Sequence, residues 1–367
     1  MSEPPGARII RPMPFPLHIV DRDTPRCALD QLARLVGPQQ RIISMGPPPE
    51  YPALADRFEP VHVPLGLFHM TIRRMRSRLC PPNLIHAWSP TVLSASAAMG
   101  KYFESPVVYS LTALPDRLSW ALLVKFCEQG LGLIVPTEAH RRALQSKGIS
   151  SERLWVVPPA ACPTDPSGRA ELRERLGLEP DELVLTAPGP SIRPANQHAI
   201  LWAHGMLDAA GMPISIVLTD PGPLLGQLAD FRRVTGCRKP PIEAWQVASR
   251  PELLAVADLA VFSSPVDAGL WALADTAASG LASVIARTPW ATSLLDEDES
   301  AARWVDQFVP QPVCAAMLEL IESADQRRQL GGRARQIARR ELSAEVASQR
   351  LAGAWQDLVA AGVKVCA

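Results

Sequence analysis

The sequence predicts an α/β protein made of two doubly wound, Rossmann-like domains. Three observations lead there. Short apolar runs of strand length alternate with amphipathic stretches of helix length, the pattern of a parallel sheet covered on both faces. The alternation breaks at PPAACPTDPSG (158–168), where proline, glycine, serine and threonine cluster as in a linker, and then starts again. The 367 residues exceed one ordinary core and suit two of about 150 to 200 residues.

The elements follow in order. PLHIV, RIISMG, NLIHAW, PVVYSLT, GLIVPT and LWVVPP read as buried strands of the first domain. ALDQLARLV, SPTVLSASAAMGKYF, SWALLVKFCEQG and EAHRRALQSKG read as the helices between them. After the break come the helix RAELRERLGL, the strand ELVLTAPG, the helix NQHAILWAHGMLDAAG and the strand ISIVLTD. LLGQLADFRRVTG, IEAW, ELLAVA and DLAVFSS lead to a helix in SSPVDAGLWALAD and the strand ASVIA, and residues 313–362 read as helical. We expect a first domain over 1–160, a second over 161–345, and a closing helix at 346–367. That helix should cross back onto the first domain through Trp355 and Leu358. Open α/β sheets bind ligands beyond the C-terminal ends of their strands, so the cleft between the two domains is the expected site.

Composition narrows the partners. Hydrophobic residues make up 47% and charged residues 20%, no apolar run reaches membrane-spanning length, and the formal net charge is +0. Nothing in that balance points to nucleic acid or to bulk attraction by an anionic membrane. Seven scattered cysteines without a close pair argue against a disulfide framework or a zinc site. With no apolar signal-peptide core at the start, the expected location is the cytoplasm.

The stretch LLAVADLAVFSSPVDAGLWALADTAASGLASVIA carries the most information. Asp267 and Asp275 stand eight positions apart in an otherwise small and apolar segment, after one strand and into the next helix. Piece by piece it is similar to the signature of glycosyltransferase family 4, whose members have the GT-B fold. That signature has a strand, a first glutamate, a second glutamate after seven intervening residues, a glycine and another strand. Here Asp267 and Asp275 hold the acidic positions, Gly280 the glycine, and ASVIA the strand. LIHAW, LIVPTEAHRRALQSKGISSERLWVVPPA and ISIVLTDPGP resemble further family pieces in the same order, so the resemblance spans residues 17 to 358.

The resemblance implies a retaining transferase, of hexosyltransferase type, that moves a sugar from a nucleoside-diphosphate sugar to a hydroxyl acceptor, with no metal and no separate cofactor. It implies that Asp267 contacts sugar hydroxyls and Asp275 the ribose. Gly189, Ser191, Asp220 and Gly222 would wall the nucleotide. Ala268, Gly269, Leu270 and Trp271 would open a helix toward the diphosphate, where the helix dipole favours anions. Asp23, Thr24, His86 and Thr112 fall on the acceptor side. The acceptor itself, a saccharide, a lipid-linked molecule or a protein, is not legible.

The chain also departs from the pattern. Aspartate for glutamate shortens each acid by about 1.5 Å. The family places arginine and then lysine after the glycine of LVLTAPG; here Pro190 follows Gly189, Asn196 stands near the lysine position, and Arg193 is the one cation offered. The loop DRDTPRC (21–27) lacks the usual glycines, and its Asp21-x-Asp23 is a weak metal motif. His86 at a strand end reads more naturally as a packed histidine. Two readings therefore stand: an active transferase with a variant D-x7-D pair, and a catalytically degenerate relative, a pseudoenzyme, that binds or scaffolds. A nucleotide-sugar epimerase ranks last, because its histidine and carboxylate set is not visible. The arginines at 325–350 would suit peripheral contact with anionic lipid, but Asp325, Glu341 and Glu345 among them favour a solvated helix face.

Overall fold

The computed structural model describes residues 16–61, 81–115, 119–228, 230, 239–295 and 298–361. The first half runs β1 (Pro16–Val20), α1 (Arg26–Leu35), β2 (Arg41–Met45), β3 (Phe58–Val61), β4 (Leu84–Ala87), α2 (Leu93–Phe103), β5 (Val107–Ser110), α3 (Ser119–Glu128), β6 (Gly132–Val135), α4 (Glu138–Gln145) and β7 (Leu154–Val156). The second half opens with α5 (Arg169–Arg175), β8 (Leu183–Ala187), α6 (Gln197–Ala209), β9 (Ile214–Leu218), β10 (Ile242–Glu243), α7 (Arg250–Val256), β11 (Leu259–Phe262) and α8 (Leu270–Ser279). It closes with β12 (Ser283–Ala286), α9 (Pro289–Leu294), β13 (Arg303–Val305), α10 (Pro310–Glu322), α11 (Ala324–Glu341) and α12 (Ala344–Ala360).

The strands form a seven-stranded sheet, β3-β2-β1-β4-β5-β6-β7, and a six-stranded sheet, β10-β9-β8-β11-β12-β13. Pairing is parallel throughout the second sheet and from β3 through β6 in the first. This is the doubly wound α/β class read from the sequence. The alternating reading omitted β3 and β13. Both are short edge strands, and β3 contains Pro60, which is tolerated because an edge strand leaves one side unpaired.

The chain divides into two compact units. The first holds the described residues up to Val135, Lys147–Trp155 and the chain from Ser348; the second holds Pro136–Ser146 and Val156–Ala347. In the first unit, α12 lies on the sheet. A Cβ on Gly132 of β6 would stand 2.8 Å from a Leu358 methyl and 3.0 Å from the Trp155 ring, so a larger residue would have to push the Leu358 side chain aside. Trp355 packs its ring against His18 and His86, paired neighbours on β1 and β4. In the second unit, α8 and α11 cover one face of the sheet and α6 and α10 the other. The left-handed C-cap Gly280 ends α8 and receives α11, where a Cβ on Gly331 would stand 2.1 Å from the Gly280 carbonyl oxygen.

Among the described residues no helix is long and apolar enough to cross a membrane. Two arginines of α11 serve local structure: Arg327 donates to the Leu320 and Ile321 carbonyls at the end of α10, and Arg333 pairs with Asp298. Among the described residues Cys27, Cys127, Cys162 and Cys314 form no disulfide.

Candidate functional site

In the second unit the strand order reverses between β8 and β11, and loops leaving two such strands diverge to form a crevice. The loop after β8 brings Gly189; the loop after β11 brings Asp267 and Gly269. Both glycines lie in the left-handed region, at φ 108° and 87°. Their backbones touch, since a Cβ on Gly189 would stand 3.2 Å from the Gly269 Cα. A second approach joins the loop after β9. A Cβ on Gly222 would stand 2.3 Å from the Ser191 carbonyl oxygen, and the Leu224 N–H donates to that oxygen at 3.1 Å. Glycine is thus required at 189 and 222 by close backbone approach.

These contacts gather Gly189, Ser191, Asp220, Gly222 and Ala268–Trp271 at the start of α8, a ten-residue helix with no side-chain cap and no acidic residue in its first turn. The positive end of the helix dipole therefore faces this point uncompensated by its own residues. The Leu270 N–H is used locally, donating to the Asp267 carbonyl at 3.1 Å, and the Leu270 side chain is buried in the core. Arg193 lies exposed on a short turn, with no side-chain partner among the described residues.

A buried ion cluster lies beneath. Asp275, in the second turn of α8, has a side chain 0% exposed. Its Oδ1 accepts the Cys162 N–H at 2.8 Å, and its Oδ2 accepts Arg250 Nη1–H at 3.2 Å. Arg250 grips Asp220 more firmly, with Nε 3.0 Å from both carboxylate oxygens and Nη2 2.5 Å from Oδ1. Asp220 also accepts the Gly189 N–H at 3.0 Å and the Thr219 hydroxyl at 2.6 Å. Burial alone would raise the Asp220 carboxyl, but the Arg250 guanidinium and these donors hold it below its ordinary value.

Asp267 has a different partner. Its Oδ2 lies 3.1 Å from Nε2 of His140, a fully buried residue of α4 whose ring packs on Trp290 at 4.7 Å. A carboxylate only accepts, so Nε2 carries the proton, and in the neutral imidazole the Thr137 hydroxyl donates to Nδ1 at 2.8 Å. Thr137 is the N-cap of α4, so helix start, imidazole and carboxylate form one chain of hydrogen bonds. A pocket of about 20 Å³, room for one water or hydroxyl, adjoins Asp267 and is lined by Ser264, Gly269, Thr288 and Trp290.

The acceptor-side residues lie in the first unit and are not brought together. Thr24 is buried and closes the loop after β1, its hydroxyl donating to Asp21 Oδ1 at 3.0 Å and accepting the Asp21 N–H at 2.9 Å. Asp23 is exposed beside it, and Thr112 follows β5. His86 sits inside the sheet, hydrogen-bonded to Ser110 at 2.8 Å and stacked on Trp88 at 4.3 Å; burial, then neighbouring His18, pushes its pKa well below the ordinary value. A hollow of about 590 Å³ opens beside Thr24, lined also by Arg22, Arg26, Pro47–Pro49, Glu50 and Tyr51. Both carboxylate oxygens of Asp21 are engaged by the Thr24 and Thr91 hydroxyls. Among the described residues no group of three or more His, Cys, Asp or Glu is placed to hold a metal.

Sequence reading missed Arg250 and His140. A signal for Arg250 exists: it opens a helix, where a cation opposes the dipole, and such a placement implies acids nearby. His140 has no comparable signal, because Asp267 lies 127 positions away.

No protein-family model and no curated protein sequence matches the chain. Solved structures do resemble it. HepE of Anabaena, in complex with UDP and glucose, aligns with a TM-score of 0.78 at 15% identity, covering 93% of this chain and 98% of that one. A glycosyltransferase of Rickettsia africae aligns at 0.75 and 8% identity, covering 95% and 99%. Sucrose-phosphate synthase of Thermosynechococcus elongatus aligns at 0.67 and 15%, covering 94% and 99%. At such identities the likeness establishes the fold, and the fold is GT-B.

Proposed function

We propose that the protein is a glycosyltransferase that moves a sugar from a nucleoside-diphosphate sugar, a UDP-sugar foremost, to a hydroxyl acceptor. The observation that carries this reading is the contact of Gly189 with Gly269 at the start of α8, which gathers three loops around an uncapped helix N-terminus. Such a point suits a diphosphate, because backbone approaches closely and the dipole favours anions. HepE was solved with UDP and with UDP-glucose, which supports the same donor class here.

In this reading the bond from sugar to diphosphate breaks as a bond to the acceptor oxygen forms, with retention at the sugar carbon, and the acceptor's hydroxyl proton passes to the departing diphosphate oxygen. Positive charge gathers on the sugar ring and negative charge on the departing diphosphate. The 268–271 turn and Arg193 stabilise the diphosphate. Asp267, held by His140, takes a sugar hydroxyl, and Asp275 the ribose. Gly189, Ser191, Asp220 and Gly222 form the nucleotide wall. Acceptor choice falls to the first unit.

A second reading, a relative without chemistry, rests on Asp275, whose two oxygens are already engaged by Cys162 and Arg250. Calorimetry with UDP, GDP, ADP and their sugar conjugates separates the two. We expect UDP to bind below millimolar concentration, and Asp267→Asn to keep nucleotide affinity while losing most sugar transfer. If no nucleotide binds at millimolar concentration, the transferase reading fails; binding without transfer to any hydroxyl acceptor supports the second.

A further inference from the structure

We infer that Arg250 is a phosphate-binding residue of the donor site, held on Asp275 and released to the nucleotide by exchange of partners. The inference rests on the nucleotide-sugar reading above.

The loop after β8 does not supply a pair of cations. Asn196, at the position where a lysine would stand, is a brace: it is left-handed at φ 55°, and its Nδ2 donates to the Ser263 and Phe308 carbonyls at 3.0 Å each. Arg193 remains as the loop's single cation. Arg250 reaches the same place from another element. It shares Asp220 with the Gly189 N–H, so the guanidinium is one carboxylate away from the backbone that touches the start of α8.

Its contacts with the two acids are unequal. Asp220 holds Nε and Nη2 together, a two-pronged grip that also fixes the plane of the guanidinium. Asp275 accepts Nη1–H at the longer distance of 3.2 Å. The exchange opens the second contact and leaves the first in place. Nη1 then donates to a phosphate oxygen while Asp220 keeps the side chain anchored, and Asp275 accepts ribose hydroxyls in its place. Nη1 thereby trades a carboxylate oxygen for a phosphate oxygen, and Asp275 trades a guanidinium N–H for a ribose hydroxyl. Arg250 also offsets one of two buried acids, whose joint charge would otherwise repel a diphosphate.

The test compares UDP with uridine, which shares the base and ribose but lacks phosphate. Isothermal titration of the full chain would use the parent, Arg250→Gln and Arg250→Lys. We expect Arg250→Gln to weaken UDP about ten- to a hundredfold, the range of a lost charged hydrogen bond, and to leave uridine within about threefold. Arg250→Lys, which keeps the charge but not the fork, should recover only part of the UDP affinity. If UDP and uridine weaken alike, or UDP is unaffected, the proposal is overturned and Arg250 is purely structural. Should the glutamine variant fail to fold, the lysine variant decides: a parental ratio of UDP to uridine affinity overturns the proposal. A parent that binds no nucleotide sinks the donor-site reading itself, a result distinct from a parent that binds UDP independently of Arg250.

Discussion

The two sheets reverse strand order in the same way, between β1 and β4 and between β8 and β11, yet the two reversal points are built differently. At the first, a loop without glycine is closed by side chains: Thr24 on Asp21, and Thr91 on Asp21. Below it lie packed rings, His18, His86, Trp88 and Trp355, with both histidines held neutral by burial. At the second, closure is by backbone on backbone at Gly189 and Gly222, and below lie formal charges, Asp220, Arg250 and Asp275. Buried charge is costly unless each member is paired. One unit avoids that cost and the other accepts it where an anionic ligand is proposed to bind.

The contrast is broken most directly at Asp220. Asp220→Ala takes from the buried Arg250 the carboxylate that holds its Nε and Nη2, and removing one partner of a buried ion pair costs about 3 to 5 kcal/mol. Urea denaturation of parent and variant measures it; a loss below about 1 kcal/mol would show that the cluster is solvated after all.

The first unit should fail instead in acid. The His18 pKa is pushed down to about 3 by burial, partly offset by its hydrogen bond to Gln40, and His86 is also pushed down. Both folded values lie below the unfolded one of about 6.5. The unfolded chain therefore binds more protons below that value, and stability falls as pH drops from about 6.5 toward 3. At pH 5.5 His18 should cost about 1.4 kcal/mol relative to pH 7.5, with His86 adding in the same direction, measured by urea denaturation at the two pH values. His204, lowered by burial in the second unit, adds to the same trend. A pH-independent stability over this range contradicts the neutral-ring account.

Gly222→Ala sharpens the other side. The new methyl meets the Ser191 backbone, and overpacking of this kind costs about 1 to 3 kcal/mol, read from the thermal midpoint. Arg193→Ala is the smallest perturbation. The residue is exposed and without a side-chain partner among the described residues, so stability should change by less than about 0.5 kcal/mol while UDP binding weakens severalfold. A large stability loss with unchanged binding would reverse its assignment.

The fold was largely legible because buried parallel strands are nearly continuous apolar runs, as in LAVF and SVIA. Two of the edge strands were not, since β3 and β13 mix exposed and buried positions. The spacing of Asp267 and Asp275 was visible because one turn and one helix connect them. Their partners were not. His140 and Arg250 reach those acids from separate helices, and local pattern carries no information about which distant side chain fills a buried coordination position. Aspartate in place of glutamate also acquires a physical setting here: both shortened acids are met by residues of other elements, His140 and Arg250.

The second unit also borrows a piece of chain from before the linker. Pro136–Ser146 belongs to it, though 158–168 is where the sequence pauses. A fragment starting at Val156 would thus carry the whole six-stranded sheet and lack the imidazole against which Asp267 rests. Modularity along the gene and modularity in space diverge at that helix. Adding 136–146 as a separate peptide to such a fragment asks whether the missing support can be restored in trans.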